Sequence, residues 1–113
     1  MHEMSIAESI AQIAEGAVEQ DEAARVRRVF VEIGQLASVE VEALRFCWDA
    51  VTRDGRIAGA ALEILRPSGQ AWCLMCTQSV ELPALYEPCP RCGSYQLQVT
   101  GGTDMRVKEI EVE

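Results

Sequence analysis

The order of hydrophobic periodicities in this chain predicts an α+β fold: a small domain of two helices on a three-stranded sheet, with a four-cysteine module inserted before the last strand. Three observations carry this. Two stretches repeat apolar residues at helical spacing, and three others alternate apolar with polar residues. Between the second and third alternating stretches, residues 70–99 hold four of the five cysteines and three of the four prolines, with little periodicity of either kind.

From Ser5, "SIAESIAQIAEGAVEQ" places Ile6, Ile10, Ile13 and Ala17 on one helix face. Ser5 with Glu8 forms an S-x-x-E capping box, which starts the helix at Ser5 and leaves residues 1–4 as a free lead-in. Gly16 costs this helix about 1 kcal/mol relative to alanine without cancelling the pattern. In "RVRRVFVEIG", Val29, Val31 and Ile33 alternate with Arg28, Phe30 and Glu32, a half-buried strand that ends at Gly34. "SVEVEALRFCWDAVTRDG" is the second helix. Ser38 is its expected cap, Val41, Leu44, Trp48 and Val51 its inner face, and Asp54-Gly55 its stop. "AALEILRP" is a strand that ends at Pro67. After Gly101-Gly102, "MRVKEIEVE" is the last strand, with Val107, Ile110 and Val112 as its inward candidates. These boundaries assign residues 1–66 and 100–113 to one domain and residues 67–99 to the insert.

Composition narrows the function classes. Ten Lys+Arg against eighteen Asp+Glu give a net charge of −8, which repels phosphate backbones and leaves no basic stripe for nucleic acid. No segment approaches the roughly 20 apolar residues of a membrane span. The acidic start, with its apolar residues spaced apart, does not have the layout of a signal peptide. A cytoplasmic protein is expected, and five cysteines there point to metal or redox chemistry more than to disulfides.

The cysteines run Cys73-x2-Cys76-x12-Cys89-x2-Cys92. Each C-x-x-C turn offers two thiolates to one tetrahedral ion, so the pattern points to structural Zn²⁺ with no open coordination position. In "CPRCG", Pro90 sets the entry to the turn, and Gly93 allows the positive φ that aims backbone N–H groups at sulfur. Iron in the same thiolate cage is the alternative metal. A thioredoxin-like redox pair would need one C-x-x-C at a helix start instead of two facing pairs. Cys47 lies outside the pattern, between Phe46 and Trp48, and is expected to pack as a small hydrophobe.

His2 is the only histidine. By spacing alone, a solvated side chain at a frayed terminus is the commoner situation. A terminal amine, the backbone nitrogen of His2 and its imidazole nevertheless make a compact chelate, and the backbone nitrogen of Glu3 can supply a fourth in-plane donor. Planar nitrogen sets suit Ni²⁺ or Cu²⁺, and Glu3 can add a carboxylate. One terminal histidine, a closed thiolate site and no nucleophile motif leave no catalytic arrangement, so no enzyme activity is expected.

Taken together, "MHEMSIAESI", "VFVEIGQLASVEVEALRF", "CPRCGS" and "MRVKEIEVE" resemble the HypA/HybF family of nickel metallochaperones across essentially the whole chain. The resemblance implies delivery of Ni²⁺ as cargo to the large-subunit precursor of [NiFe] hydrogenase, together with a HypB-type GTPase. In some organisms it also implies service to urease maturation factors. Carried over by residue, it implies nickel ligands at Met1 (through its amine), His2 and Glu3, with Glu40 at a position where the family often has a carboxylate. It implies zinc ligands at Cys73, Cys76, Cys89 and Cys92. Val41 departs from the proline of many relatives, and Cys47 from a small apolar residue. The rival reading is a zinc-ribbon interaction module in which His2 is incidental.

Overall fold

The computed structural model describes residues 2–113, and Met1, one of the expected nickel ligands, lies outside the described residues. The chain forms two compact units. In the first, residues 39–64 and 107–113 join the amino-terminal segment that runs through Val31. The second comprises Glu32–Ser38 and Leu65–Arg106. Among the described residues no helix is long and apolar enough to cross a membrane.

Helix α1 spans Glu3–Ala17 and begins two residues before the expected Ser5. The Ile6 N–H already donates to the His2 carbonyl at 3.2 Å, and His2 is the extended N-cap residue, without a side-chain cap bond. A capping box needs an extended backbone at its serine. Here the carboxylate of Glu3 sits in the first turn instead, where it complements the helix dipole. The buried face is Ile6, Ala7, Ile10, Ala11 and Ala14, while Ile13 is 53% exposed and Ala17 is also exposed. The face is therefore rotated from the isoleucine stripe onto the alanines. α1 packs against the second helix, and small residues in the middle of a helix–helix contact allow close approach.

That second helix, α2, spans Val41–Val51. Its cap is Glu40, whose Oε1 accepts from the Glu42 N–H at 3.2 Å, and not Ser38. Val41 is thus the first helical residue, the position where proline is favoured because its N–H would go unpaired anyway. Leu44 and Trp48 are buried, and Val41 and Val51 are half-buried. Trp48 Nε1 donates to the Ala60 carbonyl and the Thr52 hydroxyl donates to the Trp48 carbonyl, both at 2.8 Å. The helix ends before Asp54, and a short 3₁₀ turn follows at Gly55–Ile57.

Strands β1 (Val26–Ile33), β2 (Ala61–Leu65) and β6 (Met105–Val112) form a sheet in the order β2-β1-β6. The expected alternation in β1 is present, with Val29, Val31 and Ile33 buried. Beyond its end, Arg25 and Glu113 exchange both backbone hydrogen bonds, at 3.2 and 3.0 Å, as antiparallel neighbours do. In β6, Val107 and Ile110 are half-buried, but Val112, expected inward, is 49% exposed.

The second unit has a sheet of its own, which weak periodicity had hidden. β3 (Gly69–Cys73) is paired antiparallel with β4 (Gln78–Leu82) on one side and β5 (Leu97–Gly101) on the other. Its core is Leu36, Ala71, Cys73, Val80, Leu82 and Cys89. With strands of five residues, each shows only two or three inward positions, and some of those are alanine or cysteine. Glycines pack backbone on backbone beside this core. A Cβ on Gly34 would lie 2.1 Å from the Gly102 carbonyl oxygen, and one on Gly102 would lie 2.6 Å from the Gly69 Cα.

Candidate metal centres

The four cysteines of the insert converge. Their sulfurs all lie within 4.8 Å of one another, with Cys73 Sγ 3.6 Å from Cys92 Sγ and Cys76 Sγ 3.9 Å from Cys89 Sγ. Metal–sulfur bonds of about 2.3 Å in a tetrahedron give sulfur–sulfur edges of about 3.8 Å, so these two edges bracket the value for a Zn²⁺-sized ion.

The two turns are built alike. β3 delivers Cys73, and the Cys76 N–H donates to Cys73 Sγ at 3.3 Å. In the other turn the Arg91 N–H donates to Cys89 Sγ at 3.4 Å. In each, the residue after the second cysteine donates back to the carbonyl of the first: Thr77 to Cys73 at 2.8 Å and Gly93 to Cys89 at 2.9 Å. That closure requires a left-handed backbone, and φ is +52° at Thr77 and +77° at Gly93. Glycine adopts this conformation freely, whereas a β-branched residue is strained there. Replacing Thr77 by Gly is therefore expected to raise the stability of metal-loaded protein by about 1 kcal/mol in denaturant titration. Relief of the strain outweighs the added unfolded-state entropy and the loss of the exposed Thr77 hydroxyl bond to Cys76.

Crowding separates the thiols electrostatically. The Cys76 thiol is pushed up to about 12, first by its hydrogen bond with Cys92, then by burial and the other sulfurs. Burial works against ionisation of Cys89, but the N–H groups of Cys92 and Arg91 and the hydrogen bonds from the Cys73 and Cys92 side chains together bring that thiol down to about 7. A divalent cation lets all four ionise together, because a coordinated thiol is deprotonated outright. The donor set and spacing thus fit a closed, structural zinc site. Cys47, half-buried on α2, is not part of the cluster.

A second arrangement of polar groups lies in the first unit. The Glu3 carboxylate accepts from the Glu40 N–H at 3.1 Å, tying the start of α1 to the start of α2. That bond holds the Glu3 carboxyl below the usual carboxylate range. His2 immediately precedes Glu3 and is exposed. The Glu40 side chain caps α2 through Oε1, and its second oxygen makes no hydrogen bond among the described residues. The first N–H groups of a helix have no intrahelical acceptor, so an α1 that begins at Glu3 leaves the Glu3 nitrogen free of that demand.

Three of the four candidate nickel residues, His2, Glu3 and Glu40, are thus brought to one corner of the first unit. The four candidate zinc residues form one cluster in the second. Sequence reasoning missed the role of Thr77. Its signal was positional, because it follows Cys76 as Gly93 follows Cys92. It also missed the part played by the Glu40 N–H, for which the sequence holds no signal.

A two-unit α+β protein with a four-thiol metal centre and an anionic corner at its first helix is a metal-handling protein. The family model described as "Hydrogenase/urease nickel incorporation, metallochaperone, hypA" matches residues 1–112. The hydrogenase maturation factors HypA of Albidiferax ferrireducens and Azotobacter vinelandii are 56% and 54% identical to it over 113 residues, covering 100% of each chain. The solution structure of the Ni metallochaperone HypA from Helicobacter pylori superposes with a TM-score of 0.63 at 25% identity, over 98% of this chain and 97% of that one. A further HypA solution structure, 24% identical, shares the fold with a TM-score of 0.67, over 98% of this chain and 95% of that one. The chain belongs to the HypA family of nickel metallochaperones for hydrogenase maturation.

Proposed function

We propose that this protein takes up Ni²⁺ through the amine of Met1, the backbone nitrogen and imidazole of His2, and Glu3, with Glu40 at hand as a further carboxylate. It delivers the ion to the large-subunit precursor of [NiFe] hydrogenase in the cytoplasm. The GTPase of the HypB type is its helper in that step, and urease maturation factors are a second destination where urease is made. The observation that carries this reading is the Glu3–Glu40 bond, which holds the residue after His2 in a defined place against a second carboxylate-bearing element. A frayed terminus would lack such a tie.

The chemistry is ligand exchange and involves no substrate turnover. Nickel bound through backbone and imidazole nitrogens competes with protons at each of them, so uptake is favoured near neutral pH and release by acidification. Cys73, Cys76, Cys89 and Cys92 would hold Zn²⁺, which supplies rigidity to the second unit and presents no open position for cargo.

Calorimetric titration of Ni²⁺ into untagged protein, already loaded at its cysteines, tests the proposal. The wild type is expected to bind one equivalent. His2→Ala and protein acetylated at the amine of Met1 should each lose this binding, since the first removes the imidazole and the second the terminal amine from the fused chelate rings. Equal binding by all three would remove the terminus as the cargo site and leave a zinc-ribbon interaction module as the better account.

A further inference from the structure

The sheet of the second unit is unfinished on one side. β3 is central and β5 is an edge strand, so half of β5's backbone groups have no strand partner. Which half follows from the pairing. The Leu74 N–H donates to the Gln96 carbonyl at 3.0 Å, and hydrogen-bonded pairs alternate along an antiparallel ladder. Gln96 and Gln98 therefore bond to β3, while Leu97 and Val99 turn their backbone groups to the open edge. The Leu97 N–H is used by the Tyr95 carbonyl at 2.9 Å, which leaves the Leu97 carbonyl and both groups of Val99.

Of the side chains at the same two positions, Leu97 packs against the core and Val99 stands open. Leu97 and Val99 pair with Cys73 and Ala71, which are fully buried, so all four share the core face of the sheet. Yet Val99 is 42% exposed. Beside it lies a groove of about 300 Å³, walled by Leu85, Tyr86 and Tyr95, with Leu82 at its base. Tyr86 is 91% exposed and is held with φ at +70°, a strained conformation for a residue other than glycine. Edge strands are ordinarily guarded by lysine, proline or an inward charge, and "LQVTG" has none of these. Glu87 is the one charged residue lining the groove.

The geometry points to β5 as a docking edge for an extended peptide segment of a partner protein, which adds as a fourth strand beside Leu97 and Val99. Its backbone bonds to the free groups of Val99 and the Leu97 carbonyl. Two apolar side chains, two residues apart, enter the groove between Tyr86 and Tyr95, and a flanking lysine or arginine meets Glu87. This surface adjoins the four-cysteine cluster, since Leu97 pairs with Cys73, and the proposal does not depend on nickel binding at the terminus.

The test uses full-length, metal-loaded protein labelled with ¹⁵N and a blocked synthetic hexapeptide, KVTVTV, as the probe. Saturable shifts centred on the amides of residues 97–99 are expected. An N-methylated version of the peptide, which lacks the edge donors, should bind at least about tenfold more weakly. Val99→Lys, at an exposed position, should weaken binding similarly while the amides of β3 and β4 stay protected, and Glu87→Lys should weaken it less. No shift at millimolar peptide, or equal binding of the N-methylated probe, overturns the proposal. So does a concentration-dependent dimer that Val99→Lys abolishes, since the edge would then belong to a second copy of this chain.

Discussion

Replacing Cys73 or Cys89 by serine, or stripping the metal with a chelator, is expected to unfold the second unit while the helical signal of α1 and α2 persists. The second unit's core has six buried residues, and two of them are the metal-site cysteines themselves. So small a core cannot offset the conformational entropy of a segment this long. A four-thiolate zinc site supplies on the order of 10 kcal/mol or more of apparent folding free energy. That is comparable to the whole stability of an ordinary domain, so its loss leaves nothing to hold β3, β4 and β5 together. Hydrogen exchange checks this directly, through loss of protection along β3–β5 with retention along α1. The effect should be graded by burial, larger for the buried Cys73 and Cys89 than for the exposed Cys92. Full protection of β3–β5 after complete metal removal would show that the unit folds on its six-residue core alone.

The glycines of the second unit carry the next largest expected effect. Gly102→Val should destabilise the protein by about 4 kcal/mol, and Gly34→Ala by a similar amount. At Gly102 two costs add. The backbone has φ at +85°, and any Cβ would sit 2.6 Å from the Gly69 Cα and 2.7 Å from the Ser68 carbonyl oxygen. At Gly34 the obstacle is the Gly102 carbonyl oxygen, 2.1 Å from a built Cβ. Both obstacles are backbone and cannot swing aside as a side chain can. The same backbone is also pinned by hydrogen bonds: Gly34 N–H to the Asp104 carbonyl at 2.9 Å and Leu36 N–H to the Gly102 carbonyl at 2.8 Å. Equilibrium denaturation of metal-loaded variants measures the loss, and a change under 1 kcal/mol would mean that these strands separate easily.

Much of this was legible from periodicity and spacing. Alternation in β1 and the register of Leu44 with Trp48 depend on bulky residues whose burial has no alternative, and both came out as read. The cysteine cluster was legible because a tetrahedral site constrains spacing more tightly than a core does. Where the reading slipped, a local signal lost to a tertiary one. Ser5 and Ser38 were chemically apt caps. The chain instead begins its helices at Glu3 and Val41, with Glu40 serving both sites, one bond through its N–H and one through its carboxylate. The buried face of α1 follows the alanines because a neighbouring helix selects for size, which a hydrophobicity pattern does not weigh. The second sheet stayed hidden because its strands are short and its inward positions include Ala71 and Cys73. Of the proposed nickel site, the candidate donors were legible in the sequence, and the fold added the tie between Glu3 and Glu40.

We propose that two different metals occupy two chemically distinct sites, cargo on nitrogen and oxygen donors at the terminus and a structural ion on sulfur. X-ray absorption at the nickel and zinc edges of protein loaded with one equivalent of each metal tests it most directly. The expected result is a zinc spectrum dominated by four sulfurs at about 2.3 Å and a nickel spectrum of nitrogen and oxygen neighbours alone. A sulfur shell around nickel would contradict the account, because it would place the cargo among the cysteines and leave His2 and Glu3 without their role.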